Sequence, residues 1–153
     1  MSNNVVARES GRVVVRKLFA GESNKFCDHL LRLDKDARRL RFAHGVSDDY
    51  LEAYAARSGE RGGIVFAAFI GDEVRAVSEL HKLGDAWGRE AEAAFSVERP
   101  YQDRGLGTDL MGRTIRAARN RGVQLLYMSC LAENARMQAI ARKHEATMRI
   151  EYG

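Results

Sequence analysis

The stretch AEAAFSVERPYQDRGLGTDLMGRTIRAARNRG, residues 91–122, decides the fold because its character changes twice. Residues 91–97 are mostly apolar and predict a strand, whereas in residues 108–122 the apolar residues recur with helical spacing. Between them, YQDRGLG (101–107) places two glycines behind the chain's only proline. The predicted helix ends at Gly122. Its apolar positions are Leu106, Leu110, Met111, Ile115 and Ala118.

The turn between this strand and helix has the features of an anion site. The first amides of a helix lack a carbonyl partner within it, and the helix dipole adds about half a positive charge there. Gly105 and Gly107 carry no side chain that would keep a phosphate off the backbone. Arg104 adds a cation and Thr108 a hydroxyl. Taken alone, a GxG pair is more typical of a tight turn without a ligand. The stretch is not GxGxxG, because Leu110 is the third residue after Gly107, and it is not a P-loop, because no GK[ST] follows.

The chain before this stretch predicts one strand, then helices, then a hairpin. GRVVVRKLF (11–19) is rich in β-branched residues and predicts the first strand. A helical face follows from Phe26 to Leu40, and the DKD at 34–36 can divide it in two. The next helix has Ser47 as its N-cap and Gly59 as its stop.

The remaining segments complete a mixed sheet. IVFAAFI (64–70) and VRAVSELHKL (74–83) flank a short turn and predict an antiparallel hairpin. VQLLYMSCL (123–131) predicts a strand buried on both faces. A helix at 133–145 and a last strand at 146–152 follow. This order predicts an α/β (α+β mixed) fold with a mostly antiparallel mixed sheet and helices on both faces.

Composition and charge limit the class of protein. The 153 residues fit one domain spanning 1–153, and 45% hydrophobic with 30% charged residues indicates a soluble globular protein. No apolar run approaches the ~20 residues that span a bilayer, and no signal peptide is apparent, so we expect a cytoplasmic protein with no membrane partner. A net charge of +4 suits an anionic ligand but is too mild to predict nucleic acid. Cys27 and Cys130 lack metal-site spacing, so we expect reduced thiols and no metal.

Several segments carry a resemblance to a known family. QDRGLG (102–107) has the form Q/R-x-x-G-x-G/A of the pyrophosphate-binding loop of the GNAT superfamily of acyl-CoA-dependent N-acyltransferases. The AExxFxV strand before it and the order of elements along the chain extend the likeness. ENARMQAIARK (133–143) and ARRLRF (37–42) resemble segments of bacterial Pat-type GNAT domains, which acylate protein lysines.

The resemblance implies acetyl-CoA as acyl donor and a set of residues that hold it. In the family, amides of this loop bind the pyrophosphate of coenzyme A, and the pantetheine arm lies where the strand before the loop splays from the next one. An amide near Val97 would polarise the thioester carbonyl. Asn134 matches a residue that places the cofactor arm, although a helix N-cap explains it equally well. The cofactor-binding residues expected from the resemblance are Phe95, Val97, Gln102, Asp103, Arg104, Gly105, Leu106, Gly107, Thr108 and Asn134.

Glu92 is the candidate general base. The histone-acetylating members of the superfamily have their base in a similar AE..F context, and Glu92 stands in an otherwise apolar strand. Burial there would raise its pKa and suit a group that removes a proton from an ammonium. An exposed strand glutamate without a catalytic role is the alternative, and Glu90 and Glu79 compete for the role.

The chain departs from the superfamily in three places. Many members place a tyrosine that protonates the thiolate where this chain has Ala141, and a small residue there is typical of Pat-type domains. Solvent, Tyr127 or Cys130 remain as proton donors. KHEA (143–146) replaces the usual K-x-G-F, and one further strand is usual after residues 146–152. An unpaired sheet edge would favour a homodimer.

The predicted activity is transfer of an acetyl group to a primary amine, with general-base assistance. A protein lysine is favoured by the Pat-like segments over a small amine such as a polyamine or antibiotic. A non-catalytic acyl-CoA-binding module is the other alternative, since it would keep the glycine turn but lack a usable base. Neither the sparse aromatic residues nor ARRLRF supports a nucleic-acid partner.

Overall fold

The computed structural model describes residues 12–58, 60, 62–128 and 134–144. These residues form five strands and five α-helices, in the order β-α-α-α-β-β-β-α-β-α. In chain order they are β1 (Val13–Lys17), α1 (Ser23–Arg32), α2 (Lys35–Phe42), α3 (Asp48–Ser58), β2 (Ile64–Ile70), β3 (Glu73–Lys82), β4 (Glu90–Val97), α4 (Leu106–Asn120), β5 (Leu125–Met128) and α5 (Ala135–Lys143).

The strands form one mixed sheet in the order β1-β2-β3-β4-β5. The pairs from β1 to β4 are antiparallel, and β4 pairs in parallel with β5 through the α4 crossover. The predicted antiparallel front half and β-α-β unit are therefore confirmed. The described ladder between β4 and β5 runs from Glu90–Leu125 to Ala93–Met128. Because residues 129–133 lie outside the described residues, the expected splay of these strands stays a prediction.

Helices cover both faces of the sheet, as predicted. On one face, Phe26 and Leu30 of α1 pack with Leu51 of α3 against Ala67 and Val77. Fully burying a side chain such as Phe or Leu stabilises the fold by about 1.5–3 kcal/mol. On the other face, the packed residues of α4, α5 and β4 are Leu106, Leu110, Met111, Met137, Ala93 and Phe95.

β4 divides its side chains between these two layers. Successive residues of a strand point to opposite faces. Ala93 and Phe95 pack in the α4 layer, and Ala91 packs with other residues of α4. The alternate residues Glu92, Ala94 and Ser96 belong to the face of α1–α3.

Local signals set the helix boundaries close to where the sequence places them. Leu33 is extended, and the Asp34 carboxylate accepts a hydrogen bond from the Ala37 amide at 2.8 Å, so the helix divides at the predicted point. The Ser47 hydroxyl accepts from the Tyr50 amide at 3.1 Å and caps α3. Gly59, the predicted stop of α3, lies outside the described residues.

The predicted burial of 123–131 on both faces is wrong for the part that the structure describes. β5 covers four of these positions, and Leu125 and Tyr127 are 47% and 45% exposed. Among the described residues, only the face that carries Leu126 and Met128 packs against helices. The predicted last strand at 146–152 lies outside the described residues. No helix in the described part of the chain is long and apolar enough to cross a bilayer.

Candidate active site

The glycine turn is tied back to the strand that precedes it. A short 3₁₀ turn, Arg99–Tyr101, follows β4 and leads to Gln102. The Gln102 side-chain amide donates to the Val97 carbonyl at 3.1 Å. This bond closes the turn onto the end of β4, so the first residues of α4 lie beside the strand that carries Phe95 and Val97.

The start of α4 presents free backbone amides. Gly105 is the N-cap residue and has φ +79°, a left-handed conformation that favours glycine. The first hydrogen bond of the helix joins the Asp109 amide to the Gly105 carbonyl at 3.1 Å. The amides of Leu106, Gly107 and Thr108 therefore have no acceptor within the helix, which is the arrangement that binds phosphate.

Gly107 has a packing role that the sequence does not reveal. It is buried, and a Cβ added to it would lie 2.5 Å from Cδ1 of Ile140 on α5. The two glycines of the motif therefore have different physical roles. Gly105 permits a backbone conformation, whereas Gly107 permits close packing between α4 and α5.

A cleft of about 640 Å³ opens over this helix end. Its volume lies within the range typical of ligand sites. Residues of β4, the turn, α4 and α5 form one side of it, and residues of α2 extend it toward the other layer of helices. All the predicted cofactor-binding residues except Arg104 line this cleft: Phe95, Val97, Gln102, Asp103, Gly105, Leu106, Gly107, Thr108 and Asn134. Arg104 is exposed, with its guanidinium 5.3 Å from the centre of the Tyr101 ring.

Basic side chains surround the cleft. Arg99, Arg136 and Lys143 line it, and Arg136 bonds to the Asp103 carboxylate at 2.5 Å. The hydrogen bond from Arg136 lowers the pKa of Asp103. This charge and the free amides suit a polyanionic ligand.

Asn134 has the N-cap role that was one of its two interpretations. Its side-chain oxygen accepts from the Met137 amide at 3.3 Å at the start of α5. Asn134 also lines the cleft, so the cap and a contact with a bound cofactor are compatible.

Glu92 is exposed, which corrects the expectation that it is buried among Ala91, Ala93, Ala94 and Phe95. Ala91, Ala93 and Phe95 point into the α4 layer, whereas Glu92 and Ala94 point to the other face, on which Glu92 stays accessible. Glu92 stands opposite His81 of β3, and it is not among the residues that line the cleft.

Glu79, one of its competitors, is buried in a charged cluster. Its carboxylate accepts from Arg41 at 2.8 Å and from the Tyr54 hydroxyl at 2.6 Å, and His81 lies at 3.1 Å. Burial acts to raise the pKa of Glu79, but the charge of Arg41 and the hydrogen bond from His81 lower it to about 2. Burial likewise raises the pKa of Tyr54. Glu79 is thus a permanent anion committed to Arg41, which itself lines the cleft.

A second buried cluster escaped the sequence analysis. The Ser96 hydroxyl lies 2.8 Å from Nε2 of His29, and Nδ1 of His29 lies 3.0 Å from the Glu98 carboxylate. Arg32 and Arg75 also donate to Glu98, each at 3.1 Å. His29 is far from the strand in sequence, and no motif pairs it with Ser96 or Glu98, so sequence alone offers no signal for this cluster.

Comparison with known proteins decides the family. The sequence model described as the acetyltransferase (GNAT) family matches residues 28–145, most of the chain. The chain belongs to the acetyltransferase (GNAT) family. No curated protein sequence matches it.

Solved structures of GNAT proteins share the fold at low identity. The GNAT domain of S. lividans PAT superposes with a TM-score of 0.78 at 21% identity, covering 95% of this chain and 88% of that one. YncA of Salmonella typhimurium, solved with acetyl-CoA, gives a TM-score of 0.66 at 15% identity over 88% and 79% of the two chains. An aminoglycoside acetyltransferase from an uncultured soil metagenomic sample, in complex with sisomicin, gives 0.66 at 15% identity over 92% and 93%.

These findings confirm the predicted family, the fold class and the enzyme class, an acetyl-CoA-dependent N-acetyltransferase. The start of α4 and the basic cleft fit coenzyme A, whose pyrophosphate needs unpaired donors and whose arm needs an elongated cavity. Within the described residues, no group of three or more His, Cys, Asp or Glu side chains could hold a metal ion.

The candidate donors of a proton to the thiolate are placed only in part. Ala141 is buried in α5. Tyr127 is exposed and its hydroxyl donates to Glu90 at 3.2 Å. Cys130 lies outside the described residues.

Proposed function

We propose that this GNAT enzyme transfers an acetyl group from acetyl-CoA to a protein lysine by direct attack of the amine. The observation that carries the proposal is the continuity of the cleft. It extends from the free amides at the start of α4 to Leu40 and Arg41 on α2. An acyl donor held at one end and an amine entering beside α2 would therefore meet in one space. Holding two reactants together in this way lowers the barrier substantially.

The charges around the cleft favour an acceptor with one positive charge. The acidic residues that line it are Asp36 and Asp103, and each forms an ion pair with an arginine. Buried Glu79 and Glu98 are also paired with arginine. A polyamine or an aminoglycoside carries several positive charges and would need unpaired acids. A lysine carries a single charge on an apolar stem.

We assign Glu92 the role of general base. Glu92 does not line the cleft, so it acts through water and takes a proton from the ammonium before the amine enters the cleft; its exposure allows this. The neutral amine then attacks the thioester carbonyl, which an amide near Val97 polarises. The amides and side chains of 102–108 hold the coenzyme A that leaves.

Glu92→Gln tests this role, with Glu90→Gln as a matched control. Both glutamates are exposed on β4, two residues apart on the same face. We expect Glu92→Gln to lower kcat by about 10²–10⁴-fold with an unchanged Kd for acetyl-CoA. Glu90→Gln should retain wild-type turnover. Equal turnover in the two variants would reject the assignment.

The acceptor is tested by supplying labelled acetyl-CoA with lysine peptides, denatured and native lysate proteins, polyamines and aminoglycosides. We expect the highest kcat/KM with lysine in a protein or peptide. The sisomicin complex of the metagenomic relative makes an aminoglycoside the second candidate. A higher kcat/KM for an aminoglycoside would overturn the lysine proposal. Binding of acetyl-CoA without turnover of any amine would instead identify an acyl-CoA-binding module.

Location and assembly complete the proposal. We place the enzyme in the cytoplasm, where acetyl-CoA and its acceptor proteins meet. We also propose a homodimer that covers the exposed Leu125 and Tyr127 of β5. Light scattering should give twice the monomer mass, and Leu125→Lys should shift it to the monomer. A monomeric wild-type chain would reject the dimer.

A further inference from the structure

Ser96, His29 and Glu98 form a hydrogen-bonded line that begins at the cleft. Ser96 is on β4 and lines the cleft. Its hydroxyl lies 2.8 Å from Nε2 of His29, whose Nδ1 lies 3.0 Å from Glu98. His29 has no exposed surface, and Glu98 is 5% exposed. A hydroxyl, an imidazole and a carboxylate in this order also occur where proteins activate a serine hydroxyl.

The surroundings of His29 fix where the protons are. Burial lowers the pKa of His29, although Glu98 and Glu79 oppose this and Arg32 adds to it. Burial acts to raise the pKa of Glu98, but the hydrogen bond with His29 and the charge of Arg32 hold it below its ordinary value. His29 is therefore neutral beside an anion, so Nδ1–H donates to Glu98 and Nε2 accepts from the Ser96 hydroxyl. The lone pairs of the Ser96 oxygen remain for a donor in the cleft.

Holding the Glu98 carboxylate in place does not by itself account for the hydrogen bonds that join Ser96, His29 and Glu98. Arg32 and Arg75 already donate three hydrogen bonds at 3.1 Å to the Glu98 carboxylate and balance its charge. A neutral imidazole adds one hydrogen bond to Glu98 but no charge. Its other nitrogen, Nε2, is basic and is connected through the Ser96 hydroxyl to a residue that lines the cleft.

Acetyl transfer requires two proton transfers besides the deprotonation assigned to Glu92. The attacking nitrogen must lose a second proton as its bond to carbon forms, and the departing thiolate must gain one. Glu79 forms an ion pair with Arg41, and Ala141 has no group that can donate or accept a proton. Ser96 lines the cleft, and its hydroxyl lies 2.8 Å from Nε2 of the neutral His29.

We propose that Ser96 is a catalytic proton relay between the attacking amine and the leaving thiolate, with His29 as its proton store and Glu98 as a positioning residue. As the carbon–nitrogen bond forms, Ser96 Oγ takes a proton from the nitrogen while its own proton passes to His29 Nε2. As the carbon–sulfur bond breaks, His29 returns its proton to Oγ and Ser96 gives one to sulfur. The products are the amide and the free thiol of coenzyme A, and the enzyme is restored. The inference rests on the proposed amine acetylation.

Ser96→Ala is the main test, with Ser78→Ala as its matched control. Ser78 is likewise a strand serine with one side-chain hydrogen bond, but it is fully buried and faces Thr114 of α4. We expect Ser96→Ala to lower kcat by about 10²-fold or more and to leave the KM for acetyl-CoA unchanged, because the loss concerns proton transfer. Ser96→Thr should recover most of kcat, and Ser78→Ala should keep it.

His29→Asn retains a donor toward Glu98 but removes the basic nitrogen. If Ser96 and His29 act as one unit, the kcat of the double variant Ser96→Ala/His29→Asn should be no lower than that of the slower single variant. Mass spectrometry of wild type mixed with acetyl-CoA alone should show no acetylated Ser96. An acetyl-Ser96 adduct would overturn the relay, since Ser96 would then be a nucleophile. A kcat for Ser96→Ala equal to that of Ser78→Ala would also overturn it. An inactive wild type that binds acetyl-CoA would instead refute the proposed function.

Discussion

Gly105 and Gly122 allow a matched test of the helix end as the cofactor site. They flank α4 at its two ends, both have φ +79°, and an added Cβ would meet no atom within 4 Å at either. Substitution by alanine therefore introduces the same backbone strain, roughly 1–2 kcal/mol, and no clash. We expect both variants to lose about that much stability, which corresponds to a Tm lower by about 2–8 °C.

The two variants should differ in affinity for acetyl-CoA. The strain at position 105 of the Gly105→Ala variant is relieved when the turn leaves the conformation that directs its amides into the cleft. Binding of acetyl-CoA must then restore that conformation. The cost of about 1–2 kcal/mol raises Kd by about 5–30-fold. Gly122 is at the far end of the helix, so Gly122→Ala should bind as wild type does. Calorimetry with acetyl-CoA and denaturant unfolding measure the two quantities. Wild-type affinity in Gly105→Ala, or an equal loss in Gly122→Ala, would refute the reasoning.

Three further predictions concern packing, charge and capping. Gly107→Ala should destabilise the fold by only about 1 kcal/mol, because the atom that its Cβ meets is the terminal Cδ1 of half-buried Ile140, which can shift; in urea, the double variant with Ile140→Ala should lose less stability than the two single losses added together. Glu79→Gln leaves the Arg41 charge buried without a partner and should cost about 3–5 kcal/mol. Because the pKa of Glu79 is lowered from 4.5 to about 2, its contribution is complete above pH 4.5 and is lost as the pH falls toward 2, by about 3 kcal/mol; unfolding curves that are flat in this window would contradict it. Asn134→Ala should lose about 1 kcal/mol with its cap, whereas Asn134→Asp retains the cap, and identical unfolding midpoints for the two would contradict this.

Patterns that extend over a few neighbouring residues predicted the helices and strands and the binding site for acetyl-CoA. The helical spacing after Gly107, the β-branched first strand and the short turn at 71–72 each depend on neighbours in sequence. The motif of 102–107 likewise specifies one local conformation. These features appear in the structure near their predicted positions, and the residues of the motif line one cleft, apart from Arg104.

Burial and long-range pairing were not predictable in the same way. Glu92 stands among apolar residues, yet the alternation of β4 turns it away from them to the face of α1–α3, where it is exposed although Ser96 on the same face is buried. The apolar run at 123–131 carries no sign of which face lacks a covering helix. Ser96 meets His29 only because α1 packs on the face of the sheet to which Ser96 points, and the sequence separation of 67 residues leaves no pattern that could be recognised.

The alternation of β4 also determines how this enzyme can be redesigned. Odd-numbered positions interlock with α4 and even-numbered positions meet α1–α3. A one-residue insertion would exchange the two sets, so the length of the strand is fixed. Helices α1–α3, in contrast, cover one face of the sheet, where Glu79 of β3 is paired with Arg41 and Tyr54. A chimera that takes these three helices from another GNAT enzyme must therefore retain the partners of residues 79, 96 and 98, and it would exchange the acceptor side of the cleft while α4 and α5 still hold the donor.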